Sequence, residues 1–151
     1  MARTIVLGYD GSECAKEALD AAVDLARDQP GSRIIVVHGG EVNLAVGGGP
    51  MATELIVPEL EAVEPPAEAG IRTWLDEATA RITAAGVAVE SELKWESASA
   101  ALLDVAEKES ADMIVVGSHG AGALRGILFG STPPKLLRHS RVPVLVVPHR
   151  H

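Results

Sequence analysis

The residues with the clearest chemical potential lie in a glycine-rich stretch that runs from Gly117 to Thr132 and contains five glycines. The stretch follows a short apolar run and precedes a segment with helical character. Glycine lets a backbone approach a ligand closely and adopt positive φ. The hydroxyl and N–H groups of Ser131 and Thr132, at a helix start, favour an anion. The stretch therefore predicts a phosphate-binding loop, although a loop that only turns sharply would use the same glycines.

Other nucleotide and catalytic signatures are absent from the sequence. None of the four lysines follows a glycine, which excludes a Gly-Lys-Ser/Thr phosphate loop. The turn Gly8–Ser12 lacks the spacing of a dinucleotide fingerprint. Neither a Gly-x-Ser-x-Gly elbow nor a His-Glu-x-x-His zinc motif occurs. No catalytic residue and no metal ligand is predicted.

Strand-like and helix-like segments alternate along the chain. Strands are predicted at Thr4–Gly8, Arg33–His38, Val87–Trp95, Met113–Val116 and Val142–Val147. Helices are predicted after Ser12, from Ile71 to Ala85, from Ser97 or Ser99 to about Ser110, and from Thr132 to His139. The connection from about residue 39 to 69 has no steady period, apart from a short helical piece around Thr53–Leu60.

This alternation predicts a single-domain α/β fold over residues 1–151. The fold is a doubly wound, Rossmann-like sheet of five parallel strands with helices on both faces. Ligands of such sheets bind beyond the carboxyl ends of the strands, where the strand order reverses. This rule points to Gly8–Ser12, to His38 and Gly39, and to the segment after Val116.

Composition limits the possible partners. The net charge is −8, which repels phosphate backbones and anionic lipid surfaces, so no nucleic-acid and no membrane partner is expected. No apolar run reaches the length of a membrane span. A single cysteine, Cys14, excludes an intramolecular disulfide framework, and no signal-peptide pattern is present. A cytoplasmic location is the expectation.

The spacing of the glycine-rich stretch resembles the ATP-binding motif of the universal stress protein family. The match is Gly117-x2-Gly120-x9-Gly130-Ser131. The opening Ile5–Ser12 and the closing Val142–Val147 also resemble family members, and the likeness spans nearly the whole chain except residues 39–69. The resemblance implies an ATP-binding branch, with Mg²⁺ held mainly through the phosphates.

The resemblance also implies a set of nucleotide-binding residues. Asp10 would contact the adenine or ribose end, and Gly39 stands where family members often have a valine against the adenine. The alternative for Asp10 is a carboxylate that accepts N–H bonds at the helix start. The full implied set is Gly8, Tyr9, Asp10, Gly39, Gly117, Ser118, His119, Gly120, Gly130, Ser131 and Thr132.

The chain departs from the family pattern after Thr132, where Pro133 and Pro134 follow. Proline suits the first turn of a helix but removes N–H groups that a phosphate would use. Three functions follow: a regulatory protein that holds ATP in a stress response, a slow ATPase or phosphotransferase, and a nucleotide-free interaction module. Holding ATP without efficient catalysis is the favoured prediction.

A homodimer is also implied by the resemblance, through the last predicted strand, Val142–Val147. The segment is apolar, and an edge strand exposes backbone groups that a second strand can pair with.

Overall fold

The computed structural model describes residues 1–40, 68–119 and 131–150. Five strands and four helices alternate in these ranges. The strands are β1 (Thr4–Gly8), β2 (Arg33–Gly39), β3 (Ala88–Lys94), β4 (Met113–Gly117) and β5 (Val144–Val147). The helices are α1 (Glu13–Arg27), α2 (Glu68–Ala84), α3 (Ala98–Lys108) and α4 (Thr132–His139).

The strands form one parallel sheet in the order β3-β2-β1-β4-β5. All four strand pairs are parallel, so the carboxyl ends of the five strands meet at one edge, named here the carboxyl edge. The buried runs of β1, β2 and β4 are Val, Ile and Leu, as expected for strands covered on both faces. The predicted α/β fold is confirmed.

Two apolar clusters, one on each face, hold the helices to the sheet. The first joins α1 and α2 to residues such as Leu7 and Val36. The second joins α3 and α4 to alternate residues of the same strands, such as Val6 and Ile35. Since successive strand residues point to opposite faces, each central strand contributes to both clusters. Each helix follows a strand, so all four helices begin at the carboxyl edge.

The element boundaries differ from the sequence predictions by a few residues. β5 starts at Val144 rather than Val142, and β2 extends to Gly39. Ser97, not Ser99, caps α3, because its Oγ accepts a hydrogen bond from Ala100 N. The helical piece predicted at Thr53–Leu60 lies outside the described residues. In the part of the chain that the structure describes, no helix is long and apolar enough to cross a membrane.

Candidate functional site at the carboxyl edge

The strand order reverses at β1, which pairs with β2 on one side and with β4 on the other. The chain leaves β1 towards β2 and β3, then crosses back to β4 and β5. Connections that diverge in this way leave a crevice beyond the carboxyl ends of β1 and β4. The predicted residues that follow these two strands therefore lie at the same crevice.

The turn after β1 is fixed by its own polar groups. Asp10 Oδ1 accepts a hydrogen bond from Ser12 N at 2.9 Å. Ser12 Oγ accepts one from Ala15 N at 3.1 Å and so caps α1. Gly11 has φ +77°, a conformation that favours glycine. The Asp10 carboxylate thus makes the turn contact considered in the sequence analysis, and its contact with a nucleotide stays a prediction.

Tyr9 packs in the core, and its contact with a nucleotide stays a prediction. Its side chain is 6% exposed and belongs to the cluster under α1 and α2. Burial raises the pKa of the Tyr9 phenol above its usual value. Its N–H donates to Val37 O at 3.0 Å, and its carbonyl accepts from His38 Nδ1 at 2.8 Å. These bonds join the ends of β1 and β2.

Trp74 covers the turn after β1, a role that sequence reasoning missed. A Cβ built on Gly11 would lie 2.8 Å from Trp74 Cδ2, so the indole lies directly against the glycine backbone. The rings of Trp74 and His38 meet edge to face, with centroids 6.1 Å apart. Trp74 belongs to the apolar residues that recur at helical spacing between Ile71 and Ala85, which indicates a core-facing position, but no local pattern points to the contact with Gly11.

Gly39 lies under the start of α3. A Cβ at this position would lie 2.6 Å from Ala98 Cα and 2.9 Å from Ser97 O. The space that a valine side chain would need is therefore filled by backbone. The next residue, Gly40, donates its N–H to Lys94 O at 2.9 Å and lies close to the ring of Trp95, which is 55% exposed.

The end of β4 packs closely against α1. A Cβ at Gly117 would lie 2.8 Å from Cys14 Sγ, and the Cys14 side chain is buried. Ser118 is 3% exposed; its N–H donates to Val147 O at 2.9 Å, and its Oγ lies 2.8 Å from His119 Nδ1. The backbone of β4 at the crevice is thus fixed by α1 on one side and by β5 on the other.

The remaining predicted residues lie at the start of α4. Ser131 is its N-cap, with helical φ and ψ and no side-chain capping bond. Thr132 begins the helix, and Pro133 after it is buried. Gly120 and Gly130 lie outside the described residues. Within the described ranges, no group of three or more His, Cys, Asp and Glu side chains could hold a metal ion.

The carboxyl edge therefore combines three features. A crevice lies beyond β1 and β4, glycines occur at the ends of both strands, and α4 begins at the same edge. This arrangement is typical of open parallel α/β proteins, whose ligands bind beyond the carboxyl ends of the strands. The sequence model of the universal stress protein family matches residues 1–148, and the chain belongs to this family.

Known relatives resemble the chain along its length. The universal stress protein in the QAH/OAS sulfhydrylase 3′ region of Thermus aquaticus is 37% identical, over 97% of this chain and 99% of the relative. A solved universal stress protein in complex with cAMP is 28% identical, with a TM-score of 0.70 and 97% of each chain covered. The structure of hypothetical protein MJ0577 gives a TM-score of 0.80 at 22% identity, with 100% of this chain and 99% of that chain covered.

Proposed function

We propose that this universal stress protein holds an adenine nucleotide at the carboxyl edge and uses its occupancy as a regulatory signal. The observation that carries the proposal is the strand reversal at β1. This reversal brings the turn at Asp10 next to Ser118 and His119 at the end of β4. The helices begin at the same edge of the sheet. Crevices of this kind bind nucleotides in open α/β sheets.

The solved relative with bound cAMP supports the class of ligand. It is similar over 97% of this chain, and its ligand has an adenine base, a ribose and a phosphate. ATP, with Mg²⁺ held mainly through the phosphates, is the ligand that the resemblance to the family's ATP-binding motif implies. The base and ribose would lie towards Asp10 and Gly39, and the phosphates towards Gly117, Ser131 and Thr132.

These residues favour a protein that binds the nucleotide without efficient hydrolysis or phosphoryl transfer. Efficient phosphoryl transfer uses a residue that orients the attacking group, together with metal ligands on the protein. Asp10 is the carboxylate at the end of β1, and it already accepts the N–H of Ser12. The Tyr9 side chain packs in the core, and burial raises the pKa of its hydroxyl. We therefore propose a regulatory stress-response protein in the cytoplasm.

An interaction module that binds no nucleotide is the second candidate. Two observations favour it. Pro133 and Pro134 reduce the donors at the start of α4, and the first turn of α3 fills the space beside Gly39. Under this alternative, the sheet and helices would serve only to present a surface to a partner.

We also propose a homodimer that pairs through β5. In the described sheet, β5 is hydrogen-bonded only to β4, and its four residues Val144–Val147 are partly exposed. A short apolar edge strand is a template for a second strand. Antiparallel pairing with the β5 of a second copy would complete the sheet and cover this edge.

Mass spectrometry and calorimetry test the nucleotide proposal. Freshly purified protein is denatured, and the released small molecules are identified; the stripped protein is then titrated with adenine nucleotides. We expect a bound adenine nucleotide, saturable heat of binding, and a loss of affinity of at least tenfold in Ser131→Val, since one charge-assisted hydrogen bond is worth about that factor. Gly120→Val tests the same motif.

Thr83→Val is the matched control, because it exchanges a hydroxyl for a methyl group near the end of α2, at the opposite edge of the sheet. It should bind like the unmodified chain. No released nucleotide and no heat at millimolar concentrations would contradict the proposal and favour the interaction module.

A further inference from the structure

The charges of the chain are unevenly distributed along its length. Residues 113–151 contain five of the 13 lysines and arginines and none of the 21 aspartates and glutamates. Three of these five cations, Lys135, Arg138 and Arg141, lie in α4 or directly after it. In a chain whose net charge is −8, α4 is therefore the centre of a local region of positive charge.

The cations of α4 differ from most other cations of the chain in having no carboxylate beside them. Lys135, Arg138 and Arg141 are exposed, and none of them forms an ion pair with another described residue. The dipole of α4 favours a cation in its last turn, which accounts for Arg138 but not for Lys135. Six cations earlier in the chain do pair with carboxylates, namely Lys16, Arg33, Arg72, Arg81, Lys94 and Lys108.

An exposed leucine lies among these cations. The side chain of Leu137 is 62% exposed, whereas Leu136 is fully buried against the sheet. Pro133 is buried as well and fixes the inner side of α4, so Leu137 lies on the outer side. In the described ranges, Met1 and Trp95 are the other exposed large apolar residues. A partner that covers Leu137 would remove apolar surface from water and gain binding free energy.

The backbone that carries these side chains is well ordered by hydrogen bonds. Ser140 N donates to Leu136 O at 2.8 Å at the end of α4. Ser140 Oγ donates to Val142 O at 2.7 Å and accepts from Val142 N at 3.1 Å, which fixes the turn at Arg141. Lys135 and Arg138 are three residues apart and are neighbours on the helix surface. A partner would therefore meet a preformed surface and lose less conformational entropy on binding.

We propose that the basic face of α4, defined as Lys135, Leu137, Arg138 and Arg141, binds an acidic peptide segment of a partner protein. In such a segment, carboxylates would pair with the three cations, and an apolar side chain between them would cover Leu137. A nucleic acid also matches the cations, but its phosphate backbone has no apolar group for Leu137, and the 21 acidic residues of the chain repel it. This binding does not depend on a nucleotide at the carboxyl edge.

Fluorescence anisotropy with a labelled synthetic peptide tests the surface. The probe has roughly twelve residues, with glutamates on both sides of a central pair of leucines, and its control has glutamines in place of the glutamates. At about 0.05 M salt we expect saturable binding of the acidic peptide and about tenfold weaker binding of the control peptide. Raising the salt to about 0.5 M should weaken binding of the acidic peptide about fivefold, because salt screens exposed ion pairs.

Two matched pairs of variants test the residues. Arg138→Gln should weaken binding of the acidic peptide about threefold, the worth of one exposed ion pair. Its control is Arg27→Gln, because Arg27 is also exposed and forms no ion pair with another described residue, but lies at the end of α1. Leu137→Ala should weaken binding about fivefold through lost apolar contact, whereas Trp95→Ala removes an exposed apolar side chain elsewhere. Neither control should change the affinity, and circular dichroism verifies the fold of all four variants.

Several outcomes would overturn the proposal. Among them are no saturable binding of the acidic peptide, equal binding of both peptides, and equal effects of Arg138→Gln and Arg27→Gln. Single-stranded DNA and vesicles with about 30% phosphatidylserine are titrated in parallel. Tighter binding of either than of the acidic peptide, if Arg138→Gln abolishes it, would identify a different occupant. Self-association at low salt that Arg138→Gln abolishes would identify a second copy of the chain as the occupant.

Discussion

At the scale of single residues, position 39 has no space for a side chain. The backbone of Ser97 and Ala98 lies within 2.9 Å of the place where its Cβ would be. Backbone at this distance cannot rotate away as a side chain does, so α3 or β2 must shift to accept a larger residue. The glycine therefore sets how closely α3 approaches the crevice.

Gly39→Ala should destabilise the protein by about 1–3 kcal/mol, the usual cost of overpacking. Gly70→Ala is the matched control. Gly70 lies in the first turn of α2, and a Cβ there would have no atom within 4 Å. This control should raise stability by about 0.5–1 kcal/mol, because alanine favours the helix. Urea denaturation measures both free energies, and an unchanged or higher stability of Gly39→Ala would contradict the packing described here.

The glycines show what sequence reasoning can and cannot predict at this scale. Gly117 and Gly39 were predicted as ligand-binding positions, and in the structure each is also approached closely by another part of the chain. The approaching groups could not be predicted, because Cys14 lies 103 positions from Gly117 and Ala98 lies 59 positions from Gly39 along the chain. Contacts of this kind depend on the three-dimensional packing of helices, which no local pattern contains.

At the scale of elements, the helices begin in two different ways. Ser97 caps α3 with a hydrogen bond of 3.2 Å from Ala100 N, and Ser12 caps α1 in the same manner. Ser131 makes no such bond at the start of α4. A side-chain cap satisfies one of the unpaired N–H groups. Of these three helices, α1 and α3 therefore gain stability from their serine, and α4 does not.

Ser97→Ala should therefore cost about 1 kcal/mol of unfolding free energy, the usual worth of a capping serine. Ser131→Ala should change the stability by less than about 0.5 kcal/mol, as at an ordinary surface position. Thermal and urea denaturation of the nucleotide-free protein compare the two variants. Equal losses in both would show that α4 depends on a serine cap in solution.

Most elements could be predicted from sequence because their signals are local. The apolar runs of β1 and β4 end at glycines, and the stripe of α2 buries Ile71, Leu75 and Ile82 at helical spacing. Sequence alone could not decide whether Ser97 or Ser99 caps α3, since serine suits a cap at either position. The start of β5 was predicted two residues early because Val142 and Pro143 continue the apolar character, whereas the paired register with β4 begins at Val144.

At the scale of the whole molecule, the hydrogen bonds from β4 to residues 143–147 show which backbone groups of β5 point outward and could pair with a second copy. Pro143 O accepts from Ile114 N, and Val147 O accepts from Ser118 N, both at 2.9 Å. In a parallel pair, alternate residues direct their backbone groups to the same side. Residues 143, 145 and 147 therefore face β4, and the N–H groups of Val144 and Val146 point to the outer side of the strand.

Val146→Pro should convert the proposed homodimer into a monomer. Proline removes an outward N–H and is tolerated on an edge strand, so the β4 ladder should remain intact. Size-exclusion chromatography with light scattering gives the mass, and circular dichroism verifies the fold. Val146→Ala keeps the N–H and should stay dimeric. A monomeric unmodified chain, or a dimeric Val146→Pro variant, would contradict pairing through β5.

The placement of Trp74 and Trp95 gives the molecule a built-in optical reporter. They are the only two tryptophans of the chain, and they lie against Gly11 and Gly40, which follow β1 and β2. Intrinsic indole emission therefore arises entirely from the carboxyl edge and is insensitive to the opposite edge of the sheet. Spectral changes during a ligand titration therefore report on this region, without any attached dye.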